Sequence, residues 1–201
     1  GQTVLFDPGK EVNEISAAVS RQLSPWSYRI DQTWLSTAPT TRYLGELDER
    51  IPVKSVVLPP VVYRAGAESG PVTIPVNLTP IKLKPGEAIE IDEEMIIRVV
   101  AESADTAAFI VEHEQVNILV PNGVDYTLIK EEEPTAFTGL SVLVLNASDI
   151  SYIPPRVWQA LEPRVVLWNS PTLCPVEGWL NLEQSGNISI ISDGRDIFLD
   201  Q

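Results

Sequence analysis

One imidazole and one thiol limit what this chain can do with its side chains. His113 stands between two glutamates in "VEHEQVN", and Cys174 lies far along the chain in "TLCPV". A Ser-His-Asp or Cys-His arrangement would have to use His113. Its position at an expected hairpin tip instead reads as a solvated turn histidine, with Cys174 a buried, inert thiol. Zinc catalysis needs at least two imidazoles or thiolates beside a carboxylate, so no catalytic or metal residues are assigned and no cofactor is expected. The chain has no G-x-S-x-G elbow, P-loop, G-x-G-x-x-G or H-E-x-x-H motif. Carboxylates cluster in "LDER", "IDEEM" and "KEEEP", where a solvated acidic surface accounts for them. None shows the D-x-D-x-D-G spacing of a calcium loop.

The stretch "TWLSTAPTTRYLG", Thr33 to Gly45, is the most suggestive. It runs from an apolar strand end through a Thr/Pro turn into a short helix, offering hydroxyls, a proline and one arginine. A guanidinium suits phosphate recognition. Arg42, with Thr37 and Thr41, is the part of this stretch that could meet an anion. The competing reading is that Arg42 pairs with Glu46 or Asp48 on its own helix.

These residues are positioned by elements whose order is readable. "TVLFDPG" is a strand ending in a turn, and "KEVNEISAAVSRQL" places Val12, Ile15, Val19 and Leu23 at helical spacing. "DQTWLST" is a strand, "TRYLGELDERI" a helix, and "VKSVVLPP" a strand stopped by Pro59 and Pro60. The middle of the chain alternates as antiparallel sheet, including the hairpin "AAFIVEHEQVNILVPNG". β/α order then returns with "LSVLVLNAS", "PPRVWQALEP" and "RVVLWNS". "GNISIISDGRDIFLD" closes as a hairpin turned at Asp193-Gly194. Trp34, Trp158 and Trp168 belong to core elements, while Trp26 and Trp179 fall in loops.

The chain has 201 residues, 44% hydrophobic and 21% charged, which suits one globular domain spanning residues 1–201. No apolar run approaches the ~20 residues of a membrane span. A net charge of −14 argues against a duplex-binding face, because counterion release needs clustered Lys and Arg.

The order "GQTVLFDPG", helix, "IDQTWLSTAPTTRYLGEL", "IPVKSVVLPP" resembles the metallo-β-lactamase fold. It is most similar to the lactamase-like domain of ComEC-type DNA-uptake competence proteins of bacteria. "LSVLVLNASDIS", "VWQALEPRVVLWNS" and "GNISIISDGRDIFL" extend the likeness over the chain except Pro60 to Pro85. It implies an α/β fold, a four-layer α/β/β/α sandwich, here without the first strand pair. Asp7 and Gly9 keep the family's first motif, and Ser36 and Gly45 frame the second. The ligand positions, however, read Thr37, Pro39, Thr41 and Arg42; the bridging aspartate falls at Asn122, and the paired histidines fall near Asn146 and Ala147. The degenerate-site positions are therefore Asp7, Thr37, Thr41, Arg42, Asn122 and Asn146. The resemblance implies a metal-free pseudoenzyme, a scaffold or interaction module, as the first expectation. A metal-independent phosphate-binding or hydrolytic domain using Arg42 is the second, and an unrelated acidic β-rich binding domain the third. An open sheet edge would pair with a protein partner, a missing N-terminal segment or a second copy. The compartment would be extracytoplasmic in a competence channel protein, and cytoplasmic otherwise.

Overall fold

The computed structural model describes residues 2–8, 12–23, 28–69, 74–152, 155–172, 174–185 and 188–200. Two compact units account for them: Gly1–Lys84 with Ala104–Thr106, and Pro85–Ser103 with Ala107–Gln201. Among the described residues, no helix is long and apolar enough to cross a membrane.

The first unit alternates strand and helix: β1 (Val4–Phe6), α1 (Val12–Gln22), β2 (Ile30–Trp34), a 3-10 turn (Ala38–Tyr43), α2 (Leu44–Arg50), β3 (Val53–Leu58), α3 (Pro60–Ser69) and β4 (Thr79–Lys82). All four strands run parallel in the order β1-β2-β3-β4. Parallel strands with covered faces read as near-continuous apolar runs, and β3, "VKSVVL", is buried at every position except Lys54. Trp34, Leu35, Leu44, Leu47 and Ile51 are wholly buried. The Trp34 indole donates to Gln32 Oε1 at 3.0 Å.

Two expectations need correction here. Pro60 does not merely stop β3, because α3 begins on it. A proline at the first helical turn loses an N–H that would have no partner anyway. The helix expected over "TRYLGELDERI" is split: it starts as a 3-10 turn behind Pro39 and becomes α-helical only at Leu44.

The second unit holds β5 (Ala88–Glu90), β6 (Met95–Glu102), β7 (Ala107–His113), β8 (Val116–Val120), α4 (Tyr126–Glu132), a 3-10 turn (Pro134–Phe137), β9 (Leu140–Leu145), α5 (Ala147–Tyr152), α6 (Pro155–Leu161), β10 (Val165–Trp168), β11 (Leu180–Asn181), α7 (Leu182–Ser185), β12 (Ser189–Ser192) and β13 (Ile197–Asp200). Its seven-stranded sheet has the order β11-β10-β9-β8-β7-β6-β5. Pairing is antiparallel from β5 to β8 and parallel from β8 to β11. That matches the shift from antiparallel to β/α order expected along the sequence. One core joins Val100, Ile110, Leu119, Leu143 and Trp168 of the sheet to Ile129 of α4, with Ile150 of α5 and Val157 of α6 packed against it. β12 and β13 form a separate two-stranded sheet whose turn includes Asp193 and Gly194. Trp26 and the Trp158 side chain lie outside the described residues.

Trp34 is 0% exposed and Val76 is fully exposed. Trp34→Ala should therefore cost about 3–5 kcal/mol in urea unfolding, whereas Val76→Ser should stay within about 0.5 kcal/mol of the parent.

Candidate functional site

In open α/β sheets, ligands gather at the carboxyl ends of the strands, where loops leave the sheet. Each unit has such an end between two parallel neighbours: β1 with β2, and β8 with β9. Every position singled out from the sequence falls in these loops or just beyond them.

In the first unit, Asp7 follows β1 with φ 40°. Its Oδ1 accepts the Ser36 N–H at 2.7 Å, and its own N–H donates to Trp34 O at 2.9 Å. Burial pushes the Asp7 carboxyl above its ordinary range, opposed by hydrogen bonds from the Ser36 hydroxyl and N–H. Thr37 holds the N-cap position of the 3-10 turn in extended conformation, without a side-chain cap bond. Thr41 is buried and donates its hydroxyl to Ala38 O at 2.8 Å. The Arg42 backbone belongs to the same turn, but its side chain lies outside the described residues, as does Gly9. Of the acids expected to pair with Arg42, Glu46 meets Arg50 at 3.4 Å. Asp48 accepts the Val53 N–H at 2.8 Å and the Asn77 amide at 2.5 Å.

In the second unit, Asn122 and Gly123 turn the chain after β8 with φ values of 53° and 81°. Asn122 donates from Nδ2 to Ala107 O at 3.2 Å. Asn146 follows β9 and caps α5. Its Oδ1 accepts the Ser148 N–H at 2.8 Å and the Asp149 N–H at 3.3 Å, and its own N–H donates to Asp149 Oδ2 at 2.6 Å. This is a reciprocal capping box. Asp149 does more than cap: its other oxygen accepts the Gly123 N–H at 2.6 Å, tying the β8 loop to the β9 loop. It is completely buried, and desolvation raises its pKa to about 6 against the pull of those two backbone bonds. The sequence reading missed Asp149, although the N-x-x-D spacing in "NASD" was the signal.

Two further corrections concern the lone imidazole and thiol. His113 is the last residue of β7, with a side chain only 17% exposed, and is not a solvated turn residue. Its Nδ1 lies 3.1 Å from Ser192 Oγ. The turn is made by residues after it, with Glu114 at φ 50°. Cys174 is half-buried rather than buried, with Sγ 3.3 Å from Val176 O. Trp179, read as a loop residue, packs its ring 6.2 Å from that of Trp168.

The donor set does not fit the two-metal centre that the sequence resemblance brings to mind. Among the described residues, no group of three or more His, Cys, Asp or Glu is placed to hold a metal ion. Asp7 is committed to Ser36, Asp149 to backbone N–H groups, and His113 to Ser192.

The two sheets, one parallel and one mixed, with their helices, have the metallo-β-lactamase fold. The metallo-β-lactamase-fold protein YhfI of Bacillus subtilis matches at TM-score 0.55 and 10% identity, over 85% of this chain and 75% of that one. The short form of human tRNase Z matches at TM-score 0.53 and 12% identity, over 85% of each chain. A diphosphatase of the PhnP family matches at TM-score 0.52 and 15% identity, over 90% of this chain and 77% of that one. The Streptomyces venezuelae β-hydroxylase CmlA is a looser likeness, at TM-score 0.44 and 12% identity. It covers 70% of this chain, which spans 35% of that protein. No family model and no curated protein sequence matches the chain.

These structures overturn the expectation of a non-enzyme. Proteins of this fold at comparable similarity are a tRNase and a diphosphatase, and missing imidazoles alone no longer justify reading the chain as inert.

Asp149→Ala strands the buried Gly123 N–H and the partly buried Asn146 N–H and should destabilise the protein on the order of 3 kcal/mol in urea unfolding. Titration gives a separate signature. The folded carboxyl has a pKa of about 6 against an ordinary value of 3.8. Its protonation therefore favours the native state below about pH 4, and that contribution is lost as pH rises through about 6, roughly 3 kcal/mol in all. The side-chain amide introduced by Asp149→Asn cannot titrate, so the stability advantage of wild type over that variant should grow as pH falls from 7 to 4. Equal pH slopes for the two proteins would refute the assignment.

Proposed function

We propose that this chain is a hydrolase-type domain of the metallo-β-lactamase fold, directed at phosphate-bearing substrates and working without a two-metal centre. The observation that carries the reading is the chemistry at the β1–β2 strand ends. Where the resembled family places metal ligands, the sequence has Thr37, Thr41 and Arg42 on the turn after β2, and Asp7 follows β1 and accepts the Ser36 N–H. A guanidinium binds a phosphate oxygen pair directly, without a metal to bridge it. The names of the two enzymes that share the fold, a tRNase and a diphosphatase, supply the substrate class by analogy.

Within that class, the sequence framework favours a phosphodiester in a ComEC-type setting. "LNASDIS" and "GNISIISDGRDIFL" follow that family's order. A net charge of −14 disfavours a tight grip on duplex, so recognition would be local, at one phosphate, instead of along a basic face.

The test is turnover of bis-p-nitrophenyl phosphate and of a nucleoside diphosphate in the presence of EDTA, wild type against Arg42→Ala. The expected result is metal-independent turnover that falls at least tenfold in the variant. Turnover appearing only after Zn²⁺ or Mn²⁺ is added would sink the metal-free part, and neither binding nor turnover would sink the whole reading.

A further inference from the structure

The second unit assembles a nucleophile, a base and an acid from three distant parts of the chain. Ser192 ends β12, His113 ends β7, and Glu94 lies in the turn just before β6. Ser192 Oγ is 3.1 Å from His113 Nδ1, and His113 Nε2 is 3.6 Å from Glu94 Oε2. We propose that Ser192, His113 and Glu94 form a serine-nucleophile centre for acyl transfer, acting on carboxylic esters.

Both neighbours of the imidazole favour the same tautomer. Ser192 Oγ accepts the Gly194 N–H at 3.0 Å, and its own proton is available to a bare Nδ1. The Glu94 carboxylate, 3.6 Å from Nε2, favours a proton there through its charge. The imidazole is thus presented to Ser192 as a base, with its far side facing a carboxylate, which is the nucleophile–base–orienting-group logic. The 3.6 Å separation is in the looser range such contacts show without substrate.

The surroundings hold this geometry in place. Gln115 N–H donates to Gly194 O at 2.8 Å, pinning the β12–β13 turn against the β7–β8 turn. Gly194 has φ 87°, a left-handed backbone that favours glycine, and the turn it makes faces the flexible Glu114 carboxylate. The other acids nearby are engaged elsewhere. Glu112 pairs with Arg98 at 2.9 Å, and Asp193 Oδ1 accepts the Arg195 and Asp196 N–H groups.

The reaction is a hydrolysis. Ser192 Oγ attacks the ester carbonyl carbon while its proton passes to His113 Nδ1. The C–O bond to the leaving alcohol breaks, and that oxygen takes the proton from Nδ1. Water then attacks the acyl-serine, giving a proton to His113 that returns to Ser192 as the carboxylic acid departs. Glu94 is a positioning residue that holds the imidazolium through Nε2–H. Glu94, Glu114 and Asp193 lie on the turns that carry the centre and outweigh Arg195 there, so anionic phosphates are disfavoured relative to neutral esters.

The experiment is labelling of the full chain with a fluorophosphonate probe, mapped by peptide mass spectrometry, with circular dichroism on each variant. Labelling at Ser192 is expected. It should be abolished in Ser192→Ala, fall at least a hundredfold in His113→Ala and about tenfold in Glu94→Gln. Ser192→Cys supplies a second readout: its thiol should react with iodoacetamide at least tenfold faster than the same thiol in Ser192→Cys/His113→Ala. Absence of label, label on another serine, or label at Ser192 unchanged by loss of His113 would each overturn the proposal. Phosphodiester turnover is expected to be unaffected in Ser192→Ala, so this centre and the phosphate-directed reading fail separately.

Discussion

Where two parallel strands end side by side, the outgoing loops carry N–H groups that have lost their strand partners, and in this protein carboxylates take them. Asp7 does so for Ser36 beyond β2, and Asp149 for Gly123 beyond β8 and for Asn146 at its own helix start. Each such bond to an ionised acceptor is worth about 1.5–3 kcal/mol. The loops they hold are those on which a ligand would sit. Removing either carboxylate would free the rim of the sheet before it disturbed the core, so the geometry of both strand ends rests on these two side chains.

This arrangement explains why the strand-end residues look depleted of chemistry in the sequence and are engaged in local hydrogen bonds in the structure. Asn146 occupies a position that invites comparison with a metal ligand, yet its polar atoms serve the cap of α5. Thr41 turns its hydroxyl back onto Ala38. Asp7 and Asp149 both have carboxyls raised by burial, the condition of a group that has traded water for backbone donors.

The alternation of strand and helix was legible wherever periodicity was strong. Val12, Ile15 and Val19 mark α1, and the largely apolar runs of β3 and β9 mark mostly buried strands. Proline misled where it starts an element instead of ending one, as Pro60 does for α3. α4 was hidden because "YTLIKEE" joins an acidic run that resembles solvated loop. Its start is signalled only by Asp125, whose carboxylate accepts the Thr127 N–H at 2.7 Å. The Ser192–His113 contact could not be read at all, since nothing in the local pattern of either strand records a partner 79 positions away. Asp149 lay between these extremes: its capping role was readable, whereas its reach to Gly123 depends on how β8 and β9 pair.

The β12–β13 hairpin is a sheet of two four-residue strands, joined to neither larger sheet. A two-stranded ribbon of that length is marginal on its own, whereas β7, which carries His113, is paired along both sides in the seven-stranded sheet. Local opening of the hairpin therefore costs less than opening β7, and its amides exchange with solvent sooner. Ser192 rides on the weakly held strand and His113 on the strongly held one. The contact between them therefore lasts only while the ribbon stays seated by the Gln115–Gly194 bond, and the seated fraction multiplies any rate the pair can support.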